Sequence, residues 1–105
     1  MQHLQNLVNM TQKEVCNHFL LQLPGKGNSL TCNGSRILSY NTAIAVWYYD
    51  GIIFNKTKYS ITTSRWQNYI LYKAKHKGFK IIEINNVPQD TIDLVTYYER
   101  QCKSS

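Results

Sequence analysis

Between Gly51 and Ile82 the chain carries seven cations, Lys56, Lys58, Arg65, Lys73, Lys75, Lys77 and Lys80, and no acid. Four of its six acids, Glu83, Asp90, Asp93 and Glu99, follow that segment. Cations interleaved with Tyr59, Trp66, Tyr69 and Tyr72 suit neutralisation of a phosphate backbone together with stacking on bases. Ser60, Thr62, Thr63 and Ser64 can each cap a helix, and a capped N-terminus with free N–H groups also suits a phosphate. The candidate contact set is Lys56, Lys58, Arg65, Asn68, Tyr69, Tyr72, Lys73, Lys75, His76 and Lys77. Two other readings of these residues stand beside it: a solvated helix face with lysines as solubilisers, and a surface for an acidic protein.

An enzyme is a weaker reading. His3, His18 and His76 lie in no His-x-x-x-His or His-Glu-x-x-His arrangement. Cys16, Cys32 and Cys102 are odd in number and lack Cys-x-x-Cys spacing, so neither zinc nor a disulfide framework is expected. Cys16 and His18, two apart on a helix, point to different faces. Gly25-Lys26-Gly27-Asn28-Ser29 lacks the spacing of a nucleotide-binding loop. A metal-free ribonuclease could be assembled from His76, a neighbouring lysine and Tyr72, with His76 as acid or base. His76 is also explained as a cation at a helix C-terminus. No catalytic residue, metal or cofactor is therefore expected.

The chain has 105 residues, which is the length of one domain, 1–105. At 43% hydrophobic and 17% charged it can fill a core, so wholesale disorder is excluded. A net charge of +6 biases it toward polyanions or acidic surfaces. No apolar run reaches the ~18 residues of a membrane span, and no signal peptide is read at the start. Unpaired cysteines fit a reducing compartment, so a cytoplasmic setting is expected. Usage rich in Asn, Lys, Tyr and Ile suggests an AT-rich coding genome, so the host is expected to be bacterial.

The elements that position the basic segment follow from local patterning. Residues 1–25 read as an N-terminal helical segment, with a short turn or helix near its start. Thr11 and Glu14 then form a capping box opening a helix over 12–21. Lys26 to Ser35 reads as a flexible loop. Strands are expected at 36–40, 43–49 and 52–55, with a bend or bulge at Asn41-Thr42 and a type I′ turn at Asp50-Gly51. Strict alternation would put Ala43, Ala45, Trp47 and Tyr49 on one face and Ile44, Val46 and Tyr48 on the other. The basic helix spans 63–77, with Trp66, Ile70, Leu71 and Ala74 inward and Arg65, Asn68, Tyr69, Tyr72, Lys75 and His76 outward. Gly78 ends it. A strand at 79–84 and a helix at 91–102, within a C-terminal segment 89–102, close the chain. Asp90 and Asp93 cap that last helix, and Ile92, Val95 and Tyr98 form its core stripe. The expected fold class is α+β, with an antiparallel sheet of three to four strands.

The stretches Ser39-Tyr40-Asn41-Thr42-Ala43-Ile44-Ala45 and Tyr59-Ser60-Ile61-Thr62-Thr63-Ser64-Arg65 resemble the signature of a family of small, uncharacterised phage and plasmid proteins. That signature is Ser-Tyr-x-Thr-x-Ile-Ala, a hairpin, then Tyr-Ser-x-Thr-Thr-Ser entering a helix. The resemblance spans about a third of the chain, from Arg36 to Tyr72. At Trp66 the family pattern more often has His, so a catalytic role there is not carried over. The resemblance implies a mobile-element origin and no known reaction. Small non-enzymatic phage proteins of this size often inhibit host defence, as anti-CRISPR proteins do. On that class argument the expected partner is a host CRISPR-type nuclease or its guide-RNA complex. The alternatives are a nucleic-acid-binding accessory protein in direct contact with RNA or DNA, and the small ribonuclease toxin.

Overall fold

The computed structural model describes residues 10–104, except the side chain of Ser104; the turn or helix expected ahead of Thr11 lies outside the described residues. Helix α1 is Gln12–Leu20. Thr11 Oγ1 accepts from the Glu14 N–H and Glu14 Oε1 accepts from the Thr11 N–H, so the capping box forms as the sequence predicts. Its apolar stripe, Val15, Cys16, Phe19 and Leu20, is buried.

Six strands follow in one sheet, in the order β1-β2-β3-β4-β5-β6. They are β1 (Pro24–Lys26), β2 (Leu30–Asn33), β3 (Arg36–Ser39), β4 (Thr42–Tyr48), β5 (Gly51–Asn55) and β6 (Lys80–Ile84). β1 to β5 form an antiparallel meander, and β6 pairs parallel to β5. The sheet is thus six-stranded and mixed, larger than the three to four antiparallel strands expected. Most of the shortfall lies in the segment 26–35, read as a loop. Gly27, Asn28, Ser29, Gly34 and Ser35 sit in the turns. Between them Leu30 and Cys32 are buried while Thr31 and Asn33 are exposed, which is the alternation of a half-buried strand.

Each of the two tight turns flanking β4 places a tyrosine in the left-handed region, Tyr40 at φ 56° and Tyr49 at φ 55°. Tyr48 pairs with Gly51, so the second turn is Tyr49-Asp50 rather than Asp50-Gly51. The bend expected at Asn41-Thr42 is a tight turn one residue earlier, Tyr40-Asn41, around which Ser39 pairs with Thr42. The bulge lies further on, where Ile37 pairs with Ala45 but Leu38 with Ala43, leaving Ile44 as the extra residue. That insertion breaks the predicted alternation. Ile44 and Ala45 both join the core with Ile37, Ile52 and Phe54, whereas Ala43 and Val46 join Ile53 and Ile84 on the opposite face.

Helix α2 is Ile61–His76, and α3 is Leu94–Ser104. α1 and α2 pack on the first face of the sheet and α3 on the second. α2 begins two residues earlier than predicted because Ser60 is the cap: its hydroxyl accepts from the Thr63 N–H at 3.1 Å. α3 starts at Leu94 rather than near Thr91, capped by Asp93, whose carboxylate accepts from the Thr96 N–H at 3.0 Å and the Thr96 hydroxyl at 2.6 Å. Ile92 therefore lies outside the helix and exposed, and Leu94 takes the buried position instead.

Candidate interaction surface

Helix α2 is the crossover between the parallel strands β5 and β6, and a buried polar knot sets where it starts. Asn55 Nδ2 donates to the Ala43 carbonyl and to the Tyr59 hydroxyl, each at 3.0 Å. The Tyr59 hydroxyl donates onward to the Val87 carbonyl at 2.6 Å. Gln67 Nε2 donates to the carbonyls of Asn55 and Thr57. Ser39 and Thr63 share a buried hydroxyl contact of 2.9 Å, and Thr63 also accepts from the Ser60 hydroxyl. Ser60 and Thr63 are thus committed to one another and to Ser39, so they serve the fold; the sequence reading left them free for a phosphate. A small cavity of about 250 Å³ lies beside them, bounded by Tyr40, Thr42 and Asp90.

Around α2 the side chains sort into four strips. Thr63, Gln67, Ile70 and Ala74, at i, i+4, i+7 and i+11, are buried against the sheet. Trp66 and Leu71, expected inside, are only half-buried and lie on opposite flanks. Toward α1, the Tyr69 hydroxyl donates to Asn17 Oδ1 at 3.3 Å, and Lys73 Nζ stands 5.6 Å from the Tyr69 ring centre. Tyr69 is therefore a helix–helix contact, a correction to its predicted outward position. The solvent strip is Ile61, Arg65, Asn68, Tyr72, Lys75 and His76, with Ile61 87% and Tyr72 67% exposed. Tyr72 and His76 stack with planes 14° apart, and α2 contains no acid.

The ten candidate residues do not form one patch. Lys56, Lys58, Arg65 and Asn68 line an open groove of about 640 Å³ between the first half of α2, the 56–60 loop and β6. Phe54, Ile61 and Leu71 give it an apolar lining, and Glu83 stands in its wall. Lys56 Nζ is 3.7 Å from Glu83, and Lys80 Nζ is 3.5 Å from Asp50, so acids flanking the basic segment in sequence fold back onto it. Lys75, His76 and Lys77 lie exposed at the far end of α2 with Tyr72. Lys73 belongs with Tyr69. The sequence reading missed the groove because Glu83 and Phe54 come from β6 and β5. It could have found Gln67, which falls on the helical stripe with Ile70 and Ala74.

Neither histidine with a described environment stands in a nucleophile pair. His18 Nδ1 is 2.9 Å from the Pro24 carbonyl, and His76 faces the Tyr72 ring. Burial pushes the Cys16 thiol up to about 12, and Cys32 shifts upward for the same reason. No group of three or more metal-binding side chains occurs among the described residues. None of the helices among them is long and apolar enough to cross a membrane.

Residues 3–86 match a family of unknown function (DUF8033), and the chain belongs to that family. No curated protein matches it. No solved structure matches it either.

Proposed function

We propose that this protein is a non-catalytic binding module that holds a host nucleoprotein through the outer strip of α2. The observation that carries this reading is the strip itself: Arg65, Asn68, Tyr72, Lys75 and His76, aligned on a helix without an acid, beside a largely exposed Ile61. Exposed tyrosine on one strip with arginine is the composition of an interaction surface rather than of a merely soluble one. The resemblance to small phage and plasmid proteins makes a mobile-element origin, and inhibition of a CRISPR-type effector in the bacterial cytoplasm, the specific form of the proposal. Direct contact with RNA or DNA by the same strip is the alternative.

The test is capture from host lysate with and without ribonuclease, followed by mass spectrometry. A single nuclease recovered in stoichiometric amount supports the inhibitor reading. Heterogeneous nucleic acid lost on nuclease treatment supports the alternative. Recovery unchanged by Arg65→Glu with Lys75→Glu and Lys77→Glu, in a chain that still folds, overturns both.

A further inference from the structure

The two edges of the sheet are treated differently. β1 is three residues long and contains Pro24, and its Lys26 carbonyl already accepts the Met10 N–H at 3.2 Å. That edge is short, proline-marked and partly covered, as edges that avoid pairing are. β6 is five residues long, Lys-Ile-Ile-Glu-Ile, with neither Pro nor Gly, and it pairs only with β5 among the described residues. The Lys56 N–H donates to the Ile84 carbonyl at 2.9 Å, so Ile84, Ile82 and Lys80 direct their backbone groups toward β5. Alternate residues on a strand face opposite sides in the ladder, so Ile81 and Glu83 direct their N–H and C=O groups outward.

The groove reaches this edge strand at Glu83, and its lining includes Arg65 and Asn68 of α2 and Lys58 of the loop before it. Lys58 and Arg65 have no ion-pair partner among the described residues, while Lys56 already neutralises Glu83. We infer that β6 takes up an extended segment of an acidic partner protein as a seventh strand, its backbone bonded to Ile81 and Glu83 and its acidic side chains turned into the groove toward Arg65 and Lys58. Main-chain bonds to a free edge with side chains of one parity in an adjoining groove are the means by which strand addition combines affinity with specificity. A nucleic-acid strand fits less well, because Phe54, Ile61 and Leu71 give the groove an apolar lining beside only these two cations without an ion-pair partner among the described residues. A second copy of this chain carries the same excess of positive charge. The inference rests on the proposed role as a binding module and names the protein part of the partner as what the groove holds.

The probe is a synthetic peptide of alternating glutamate and valine, about ten residues long, read by fluorescence anisotropy and by amide hydrogen exchange on the full chain. The exchange of the Ile81 and Glu83 amides is expected to slow on peptide addition. Ile81→Pro removes an outward N–H and leaves the β5 ladder its bonds, while shortening a side chain packed on the core. It is expected to weaken binding about tenfold, with the β5 amide exchange showing that the sheet is kept. Arg65→Glu is expected to do the same by charge. A peptide N-methylated at alternate residues should not bind. Unchanged exchange at Ile81 and Glu83 overturns the inference, and this readout needs no variant. So does a uridine oligonucleotide of equal charge that displaces the peptide, or a dimer of the chain that protects the same amides without peptide. If those amides stay unprotected while nucleoprotein capture still depends on Lys75 and Lys77, this inference fails alone and the proposed function stands.

Discussion

Gln67 Nε2 donates to the Asn55 carbonyl at 2.7 Å and to the Thr57 carbonyl at 3.0 Å, so one amide on α2 fixes both the end of β5 and the loop leaving it. Gln67 is buried, and water does not replace it readily. Gln67→Leu keeps the volume and leaves two acceptors unpartnered. Each such loss costs about 1–3 kcal/mol. The expected outcome is a destabilisation of about 3 kcal/mol in urea unfolding, with faster amide exchange in the 56–60 loop. A loss under about 1 kcal/mol would mean that the two carbonyls find water and that the knot is not what anchors α2.

Gly51 and Gly78 are glycines for different reasons, and the difference can be measured. A Cβ on Gly51 would stand 2.7 Å from the Lys80 carbonyl oxygen, which is backbone and must move. Gly51→Ala is expected to cost about 1–3 kcal/mol, as overpacking does, and to loosen β6 from β5. At Gly78 a Cβ meets nothing within 4 Å, but φ is 79°. Gly78→Ala is therefore expected to cost about 1 kcal/mol through backbone strain, and Gly78→Asn less. If Gly51→Ala proved as mild as Gly78→Asn, the steric account of the β5–β6 contact would be wrong.

These two glycines also mark what was legible in the sequence. Gly78 was read correctly because a helix end is a local event: lysines in the last turn, then a residue able to adopt positive φ. Gly51 was read as a turn residue because Asp-Gly is a strong local signal. Its constraint comes from Lys80, across the parallel ladder, which no local pattern reports. The same division runs through the molecule. The capping box at Thr11, the α2 stripe of Ile70 and Ala74, and strands β3 to β6 were visible as periodicity. The single extra residue at Ile44 exchanged the faces of Ala43 and Ile44 while Ala45 to Tyr48 kept the expected alternation, and a short polar hairpin hid β1 and β2. The cations were legible by count; that Lys56 and Lys80 are ion-paired while Lys58 and Arg65 have no ion-pair partner among the described residues depends on the fold.

Asp93 gives an acid-side prediction. Its bonds from Thr96 hold its carboxyl below the usual carboxylate range, mainly through the Thr96 hydroxyl. A lowered folded value means that the contribution is present above the unfolded value and lost as pH falls through the folded one. Asp93→Ala is expected to cost about 1 kcal/mol near neutrality, as lost caps do. The gap between wild type and variant should close on acidification below the ordinary Asp range. A gap that persists unchanged at strongly acidic pH would show that Asp93 acts through packing.

Cys16 gives the alkaline counterpart. Desolvation raises its thiol to about 12, with the neighbouring Cys32 adding to the shift. A raised folded value favours the protonated form, so the contribution is full below the ordinary thiol range and is lost as pH rises toward the folded value. In Cys16→Ala the cavity cost is independent of pH. The stability difference between wild type and this variant should therefore shrink steadily as pH rises above the ordinary thiol range toward the folded value. In the native protein a water-soluble maleimide should label Cys102, which is exposed, and leave Cys16 and Cys32 unmodified. Rapid labelling of Cys16 under native conditions would contradict its complete burial.

The lysines of α2 supply the last test, because the structure divides residues that the sequence grouped. Lys73 stands over the Tyr69 ring on the flank that meets α1, whereas Lys75 and Lys77 lie exposed at the helix end. An exposed cation–π contact contributes about 0.5–1 kcal/mol. Lys73→Glu should therefore lower stability by about that amount and disturb the Tyr69–Asn17 contact, seen as a change in α1 exchange rates. Lys75→Glu and Lys77→Glu reverse charge at the negative end of the helix dipole, where each costs a few tenths of a kcal/mol to about 1 kcal/mol. Their larger effect should be on partner capture. If the partner contact is with phosphates, affinity should fall steeply with salt in wild type and less steeply in the double variant, since fewer counterions are released. If the contact is chiefly the strand added at β6, the double variant should bind nearly as well as wild type at high salt, with the loss appearing in Ile81→Pro instead. Equal loss from Lys73→Glu and from the Lys75–Lys77 pair, at equal stability, would mean that the partner embraces the α1 flank as well and that the outer strip is not the boundary of the surface.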